Sequence, residues 1–186
     1  MTFTVGINGF GRIGRCTLAH IAESGRNDVQ VIKLNATGPV ETNAHLLRYD
    51  SVHGRFSGKI AISYNSIDLD NAPINVMLTQ DLRELKWSGC HEVLKRTGKF
   101  IDRKTSTVHI QQIAKAVFIS APTKNVDKAI IYGVNHRDLI PDGTKISNGS
   151  HTTNCLAPLA KVLNDSIGIE SGIMTTIHSY TGDQPI

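Results

Sequence analysis

Aromatic residues are scarce: four Tyr, five Phe and a single Trp, Trp87, in 186 residues. Cysteine is scarce too. Cys16, Cys90 and Cys155 form no CxxC pair and no even framework, so they read as reduced thiols rather than a disulfide scaffold. No apolar run is long enough to cross a bilayer, and Gly6, Asn8, Gly9 and Arg12 interrupt the N-terminal stretch where a signal sequence would carry its apolar core. The expected location is therefore the cytoplasm, with no membrane partner. The formal charge of +4 is spread along the chain, and no Lys/Arg run tracks a phosphate backbone, which argues against a nucleic-acid partner. Repeats and low-complexity tracts are missing as well. The hydrophobic fraction of 40% suits a globular α/β protein with room for one full domain and part of a second.

The patterning is that of alternating strands and helices. Phe3, Val5 and Ile7 alternate, glycines follow, and Ile13, Leu18, Ile21 and Ala22 recur at helical spacing. Val29 to Leu34 predicts a second strand, which closes a parallel β-α-β unit with a right-handed crossover. Asn43 to Tyr49 predicts a helix holding Leu46 and Leu47 inward. Lys59 to Tyr64 and Ile74 to Leu78 read as strands of a side excursion. Further short strands are expected at Val93-Leu94, Ala116 to Ser120, Ala129 to Val134 and Lys145-Ile146, with a helix at Thr107 to Ala114. Thr152 to Asp165 predicts a helix carrying Pro158 in its first turns, and Gly172 to Tyr180 a β-branched strand. This order calls for an α/β fold: a Rossmann-type doubly wound, mostly parallel sheet over residues 1–150, then a short second piece over 151–186.

Gly9, Gly11 and Gly14 make a GxGxxG spacing between the first strand and first helix, the context in which that spacing has physical meaning. The loop Gly9-Phe10-Gly11-Arg12-Ile13-Gly14 lets backbone approach a pyrophosphate, and the helix N-terminus favours its charge. The second strand ends in Asn35-Ala36, where a ribose-binding carboxylate usually stands. Its loss removes an acceptor for the ribose hydroxyls and a repulsion against a 2′-phosphate. NADP or a relaxed preference, with Arg12 or Lys33 as nearby cations, and plain loss of ribose binding both remain open.

Several segments together resemble the phosphorylating glyceraldehyde-3-phosphate dehydrogenases of bacterial type. They are the glycine loop, Ala44 to Phe56, Thr97-Gly98-Lys99-Phe100, Ile119-Ser120-Ala121-Pro122, Tyr132 to His136, Ser147 to Val162 and Thr175 to Gln184. The resemblance covers the whole chain. It implies a nicotinamide dinucleotide, NAD or NADP, held by the glycine loop, Asn35, Thr97, Gly98, Phe100 and Ser120. It implies a small phosphorylated aldehyde as substrate, Ser150, Thr152 and Thr181 as phosphate contacts, His178 as the base, and a homotetrameric assembly. In this family a thiolate attacks the aldehyde, a hydride leaves for nicotinamide and phosphate cleaves the thioester. The nucleophile is the fifth residue of SNASCTTNC, and that position here is His151.

Imidazole is bulkier, and an acyl-imidazole hydrolyses rather than waiting for phosphate. Cys155 lies one helical turn from His151, about 5.4 Å of rise, too far for aligned hydride transfer. A metal site from His151, Cys155 and His178 lacks a clear fourth ligand, so no metal is expected there. Other departures accumulate. The stretch Trp87 to Thr97 is shortened by two residues, Lys95-Arg96 replaces Glu-Cys at the end of a buried strand, and Gln80-Asp81-Leu82 replaces Arg-Asp-Pro. Long cations at such a strand end are costly unless they reach solvent. The resemblance stops at Ile186, so the chain reads as C-terminally truncated, with 151–186 the first helix and strand of an α+β catalytic domain. Two functions compete: a dehydrogenase of this type, or its erythrose-4-phosphate relatives, by lineage; and a non-catalytic dinucleotide-binding remnant or interaction protein. For this chain the expectation is lineage without activity.

Overall fold

The computed structural model describes residues 2–70, 72–96, 116–123, 126–139 and 145–177. The chain opens with β1 (Phe3–Asn8), α1 (Arg12–Glu23) and β2 (Val29–Asn35). β1 pairs in parallel with β2 from Phe3↔Val29 to Asn8↔Asn35, with one register shift at Val5/Gly6. α1 turns Gly14 and Leu18, four residues apart, into the core and leaves its polar face to water. α2 (Val40–Arg48) follows, then a two-stranded ribbon, β3 (Tyr49–Asp50) and β4 (Gly54–Arg55).

β5 (Ala61–Ser63), β6 (Ser66–Asp68) and β7 (Pro73–Met77) come next, then β8 (Glu92–Lys95), β9 (Ala116–Ile119), β10 (Lys128–Ala129), β11 (Lys145–Ser147) and α3 (His151–Ile167). The main sheet runs β10-β11-β9-β8-β1-β2-β7-β6-β5. Every pair from β10 across to β7 is parallel, while β6 and β5 are antiparallel additions at one edge. This is the mostly parallel, Rossmann-type α/β sheet expected, followed by a long helix.

The central strands supply the most deeply buried side chains of the sheet. Ile7, Leu34, Val93 and Val117 are fully enclosed. A satellite core forms where Trp87 lies over β1 with Leu85, Cys90 and Val93. Gly6 permits this contact, because a Cβ there would stand 2.6 Å from the indole ring.

Several expectations are corrected. β7 is no side excursion: it pairs with β2 from Lys33↔Asn75 to Asn35↔Met77 and belongs to the main sheet. α2 begins at Val40, and its inward stripe is Val40, Asn43, Ala44 and Leu47, while Leu46 faces outward. The strand expected at Ala129 to Val134 ends at Ala129, because Gly133 takes a φ of +83° and the chain folds back, Val134 N–H donating to the Ile131 carbonyl at 3.1 Å. Pro158 is the eighth residue of α3, past the first turn, so the Asn154 carbonyl loses its i+4 donor. Residues 171–177 form no strand and are exposed, since no described strand lies beside them to share its ladder. The helix expected at Thr107 to Ala114 lies outside the described residues.

Candidate functional site

The strand order reverses beside β1: the chain runs outward through β2 and β7, then returns to place β8 on the other flank. Ligands of such sheets bind at this reversal, outside the carboxyl ends of the strands. The row of residues at that rim is Met77, Asn35, Asn8, Lys95, Ile119 and Ser147, in register across β7, β2, β1, β8, β9 and β11.

The glycine loop leaves the middle of this row. Gly9 has a φ of +101°, which a side chain would resist, and its N–H donates to the Asn35 carbonyl at 3.0 Å. Gly11 is extended and open: a Cβ there meets nothing within 4 Å. Gly14 is closed, because a Cβ there would collide with the Gly9 carbonyl oxygen. One glycine therefore turns the chain, one leaves room above it, and one lets α1 press against β1. Phe10 is buried beneath the loop, while Arg12 and Ile13 are exposed at the helix start. No side chain caps the first turn of α1, and it holds no acidic residue. Its N–H groups and positive dipole end are left to face an anion.

Asn35 braces the rim. Its Nδ2 donates to Asn8 Oδ1 and to the Thr79 carbonyl, both at 3.0 Å, and its Oδ1 accepts from Thr79 N–H at 3.2 Å. With every group of this amide engaged, Asn35 ties β1, β2 and the segment after β7 into one unit. Ala36 beside it is buried and brings no carboxylate. Neither of the two cations considered for that corner is idle. Arg12 donates to Asp50 at 3.3 Å and to Ser51 Oγ at 3.3 Å, and Lys33 donates to the Lys86 carbonyl at 2.8 Å and to Ser88 Oγ at 3.0 Å. The His53 and Val52 backbone N–H groups hold the Asp50 carboxyl well below the usual carboxylate range.

On the β8 side, Lys95 is fully buried and does not reach solvent, while Arg96 is half-buried with its guanidinium 5.9 Å from the Phe118 ring centroid. Burial pulls the Arg96 pKa down and pushes the Glu92 pKa up, and the charge of each partly opposes the shift of the other. Ser120, at the end of β9, donates through Oγ to the Lys95 carbonyl at 3.2 Å. Thr97, Gly98 and Phe100 lie outside the described residues.

α3 starts from the neighbouring strand end. Gly149, at φ +69°, turns the chain out of β11. Ser150 caps the helix, its Oγ accepting from Thr153 N–H at 3.0 Å. Asn154 Nδ2 ties the turn by donating to the Asn148 and Ser150 carbonyls at 2.6 and 2.9 Å. His151 and Cys155 are both exposed on this helix, and Thr152 is half-buried. His178 and Thr181 lie outside the described residues. Among those described, the one cluster of three metal-ligating side chains is Cys16, Asp50 and His53, away from His151 and Cys155 in sequence and on other elements. No single motif marks that cluster in the sequence.

The comparisons with known proteins agree with this layout. Residues 3–103 match the NAD-binding domain of glyceraldehyde 3-phosphate dehydrogenase, and residues 150–186 match its C-terminal domain. The chain is 53% identical over 185 residues to a glyceraldehyde-3-phosphate dehydrogenase of Cereibacter sphaeroides and 52% identical over 187 residues to one of Xanthobacter flavus, in each case over 100% of this chain and 56% of the relative. A Thermotoga maritima enzyme of the same name is 44% identical over 98% of this chain and 55% of its own. The chain thus spans about half the length of the curated relatives it matches. No described helix is long and apolar enough to cross a membrane. With its glycine cradle at the sheet's reversal point and its matched segments in order, this chain belongs to the glyceraldehyde-3-phosphate dehydrogenase family.

Proposed function

We propose that this chain binds a nicotinamide dinucleotide at the β1–α1 loop and does not carry out the acyl transfer of its lineage. The observation that carries the binding is the cradle: a turned Gly9, an open Gly11, a Gly14 closed against Gly9, and an α1 N-terminus with no side-chain cap. These residues fit a pyrophosphate, which needs backbone donors and no intruding Cβ. Phe10, Arg12 and Ile13 would flank it, Asn35 would hold the loop's shape through Asn8 and Thr79, and Ser120 would lie beside it at the end of β9; Thr97, Gly98 and Phe100 are cofactor contacts by the family resemblance alone. When bound, the dinucleotide supplies a hydride acceptor. Ala36 offers the ribose neither a carboxylate to hold it nor a charge to repel a 2′-phosphate, so NAD and NADP bind with similar, modest affinity.

The reading of inactivity rests on His151. It takes the place of the attacking thiolate at the start of α3, where an imidazole cannot form the thioester of the family's reaction. Ser150 there serves as helix cap, and Thr152, Thr181 and His178 complete the family's phosphate and base positions without a nucleophile to serve. Activity as a glyceraldehyde-3-phosphate or erythrose-4-phosphate dehydrogenase is the competing reading, favoured by lineage alone.

Calorimetric titration with NAD and NADP tests the first claim. Binding of both within about tenfold of each other is expected, and Gly14→Ala should abolish it, because the new methyl displaces the Gly9 carbonyl. No heat with either cofactor, or strong exclusion of NADP, overturns it. The second claim is tested by absorbance at the reduced nicotinamide band with glyceraldehyde-3-phosphate, phosphate and either cofactor. Turnover above a no-protein control overturns it.

A further inference from the structure

We infer that Cys16, Asp50 and His53 form a binding site for a single zinc-class divalent metal ion. Cys16 lies on α1, one turn beyond Arg12, and Asp50 and His53 lie on the β3–β4 ribbon and its turn. The fold brings them together: Cys16 Sγ is 3.7 Å from His53 Nδ1, His53 Nδ1 is 3.2 Å from Asp50 Oδ1, and all three ligand atoms lie within 4.8 Å of one another.

The same ring nitrogen faces both partners. A thiol–imidazole–carboxylate relay needs one partner on each nitrogen, so this trio is not a nucleophile with its base and orienting acid. One shared nitrogen suits ligands converging on a common centre. Tetrahedral zinc, with bonds of about 2.3 Å to sulfur and about 2.0–2.1 Å to nitrogen and oxygen, separates S from N by about 3.6 Å and N from O by about 3.3 Å. The S–N and N–O separations of 3.7 and 3.2 Å lie close to these edges. A thiolate, an imidazole and a carboxylate also make a borderline-soft donor set, which selects zinc or cobalt over magnesium or calcium.

The site is pre-oriented. Asp50 Oδ1 accepts from the backbone N–H groups of Val52 and His53 at 2.8 and 2.9 Å, which fixes the carboxylate against the turn. Arg12 Nη1 reaches both oxygens of the Asp50 carboxyl, Oδ1 at 3.4 Å and Oδ2 at 3.3 Å; both contacts are long, and ligation through Oδ1 leaves it Oδ2. A cleft of about 290 Å³, lined by Cys16, His20, Asp50, His53 and Arg55 among others, opens onto the ligands and leaves the fourth position to water. The site is separate from His151 and Cys155 and does not depend on dinucleotide binding.

Cobalt(II) titration of the full chain, kept reduced with a phosphine, is the test. A thiolate-to-cobalt charge-transfer band that saturates at one equivalent and is displaced by zinc is expected. Cys16→Ser should abolish the band, His53→Ala should weaken cobalt binding at least tenfold, and Cys155→Ser should leave it intact. Zinc should raise the melting temperature of the parent chain and of Cys155→Ser but not of Cys16→Ser, whose own melting curve shows whether it folds. A parent chain without the band, or a band that survives Cys16→Ser and disappears in Cys155→Ser, overturns the site.

Discussion

Cys90 lies in the satellite core under Trp87, and burial pushes its thiol pKa up to about 11, with the Lys33 charge opposing. A thiol raised from about 9 to about 11 by folding stays protonated in the native state where the unfolded chain has begun to ionise. The stability it contributes is complete below pH 9 and is lost as pH rises from 9 to 11. The chain should therefore lose stability across that window in urea unfolding, and Cys90→Ala should flatten the loss. Alkylation of native chain with iodoacetamide near pH 8 should modify exposed Cys155 readily and leave Cys90 untouched, as peptide mapping would show. A parent chain and a Cys90→Ala variant with the same slope from pH 9 to 11 would remove Cys90 from the account. Nothing in the sequence distinguished these thiols, because their difference comes from Trp87 and Val93 closing over one of them.

The element that holds the rim together is the Asn35 bracket. β1, β2 and the stretch after β7 meet there, and the Gly9 N–H is anchored to the same residue's carbonyl. Asn35→Ala removes the three hydrogen bonds by which a buried amide ties Asn8 and Thr79 together, which should cost about 1–3 kcal/mol of unfolding free energy, read from the urea midpoint. Asn35→Asp should be no milder, since it puts an oxygen against the Asn8 and Thr79 acceptors; an Asp variant as stable as the parent would show that the bracket is weaker than its geometry. The glycine spacing and the alternation of strands were legible because both are local signals. The bracket was not, since its partners stand 27 and 44 residues away. The Cys16, Asp50 and His53 cluster was hidden for the same reason: Cys16 looked like an isolated thiol, and His53 like part of a family segment. Strand lengths near Ile131 and Gly172 misled because β-branched composition does not state whether a neighbouring ladder exists.

Across the whole molecule, stability is concentrated in the central parallel strands. α3 carries Leu159, Val162, Leu163 and Ile167 exposed, with Ile173 and Ile177 bare beyond it, and no residue of α3 is buried. Hydrogen exchange should follow this gradient. Amides of β1, β2, β8 and β9 should be the slowest, and those of 169–177 should exchange at nearly unprotected rates. Slow exchange across 171–177 in a demonstrated monomer would mean that the segment has a partner within the chain. The overall α/β organisation was readable because period and punctuation agree along the first two-thirds of the sequence. The exposure of α3 was not, because an amphipathic pattern announces a face to be covered without naming what covers it.

The central position of β1 also bears on how the chain comes to be folded. Its left-hand neighbour in the sheet, β8, is joined to it by contacts spanning 87 residues, as in the Thr4–His91 hydrogen bond. On a ribosome, β1, α1 and β2 emerge early and can assemble at once. The open flank of β1 must then wait while the residues between Asn35 and Glu92 are made. During that interval a central strand of the sheet is an edge, with its row of amides and carbonyls unpaired. Translation speed between residues 35 and 92, and chaperone access over that interval, should therefore govern the soluble yield more than any property of the finished fold.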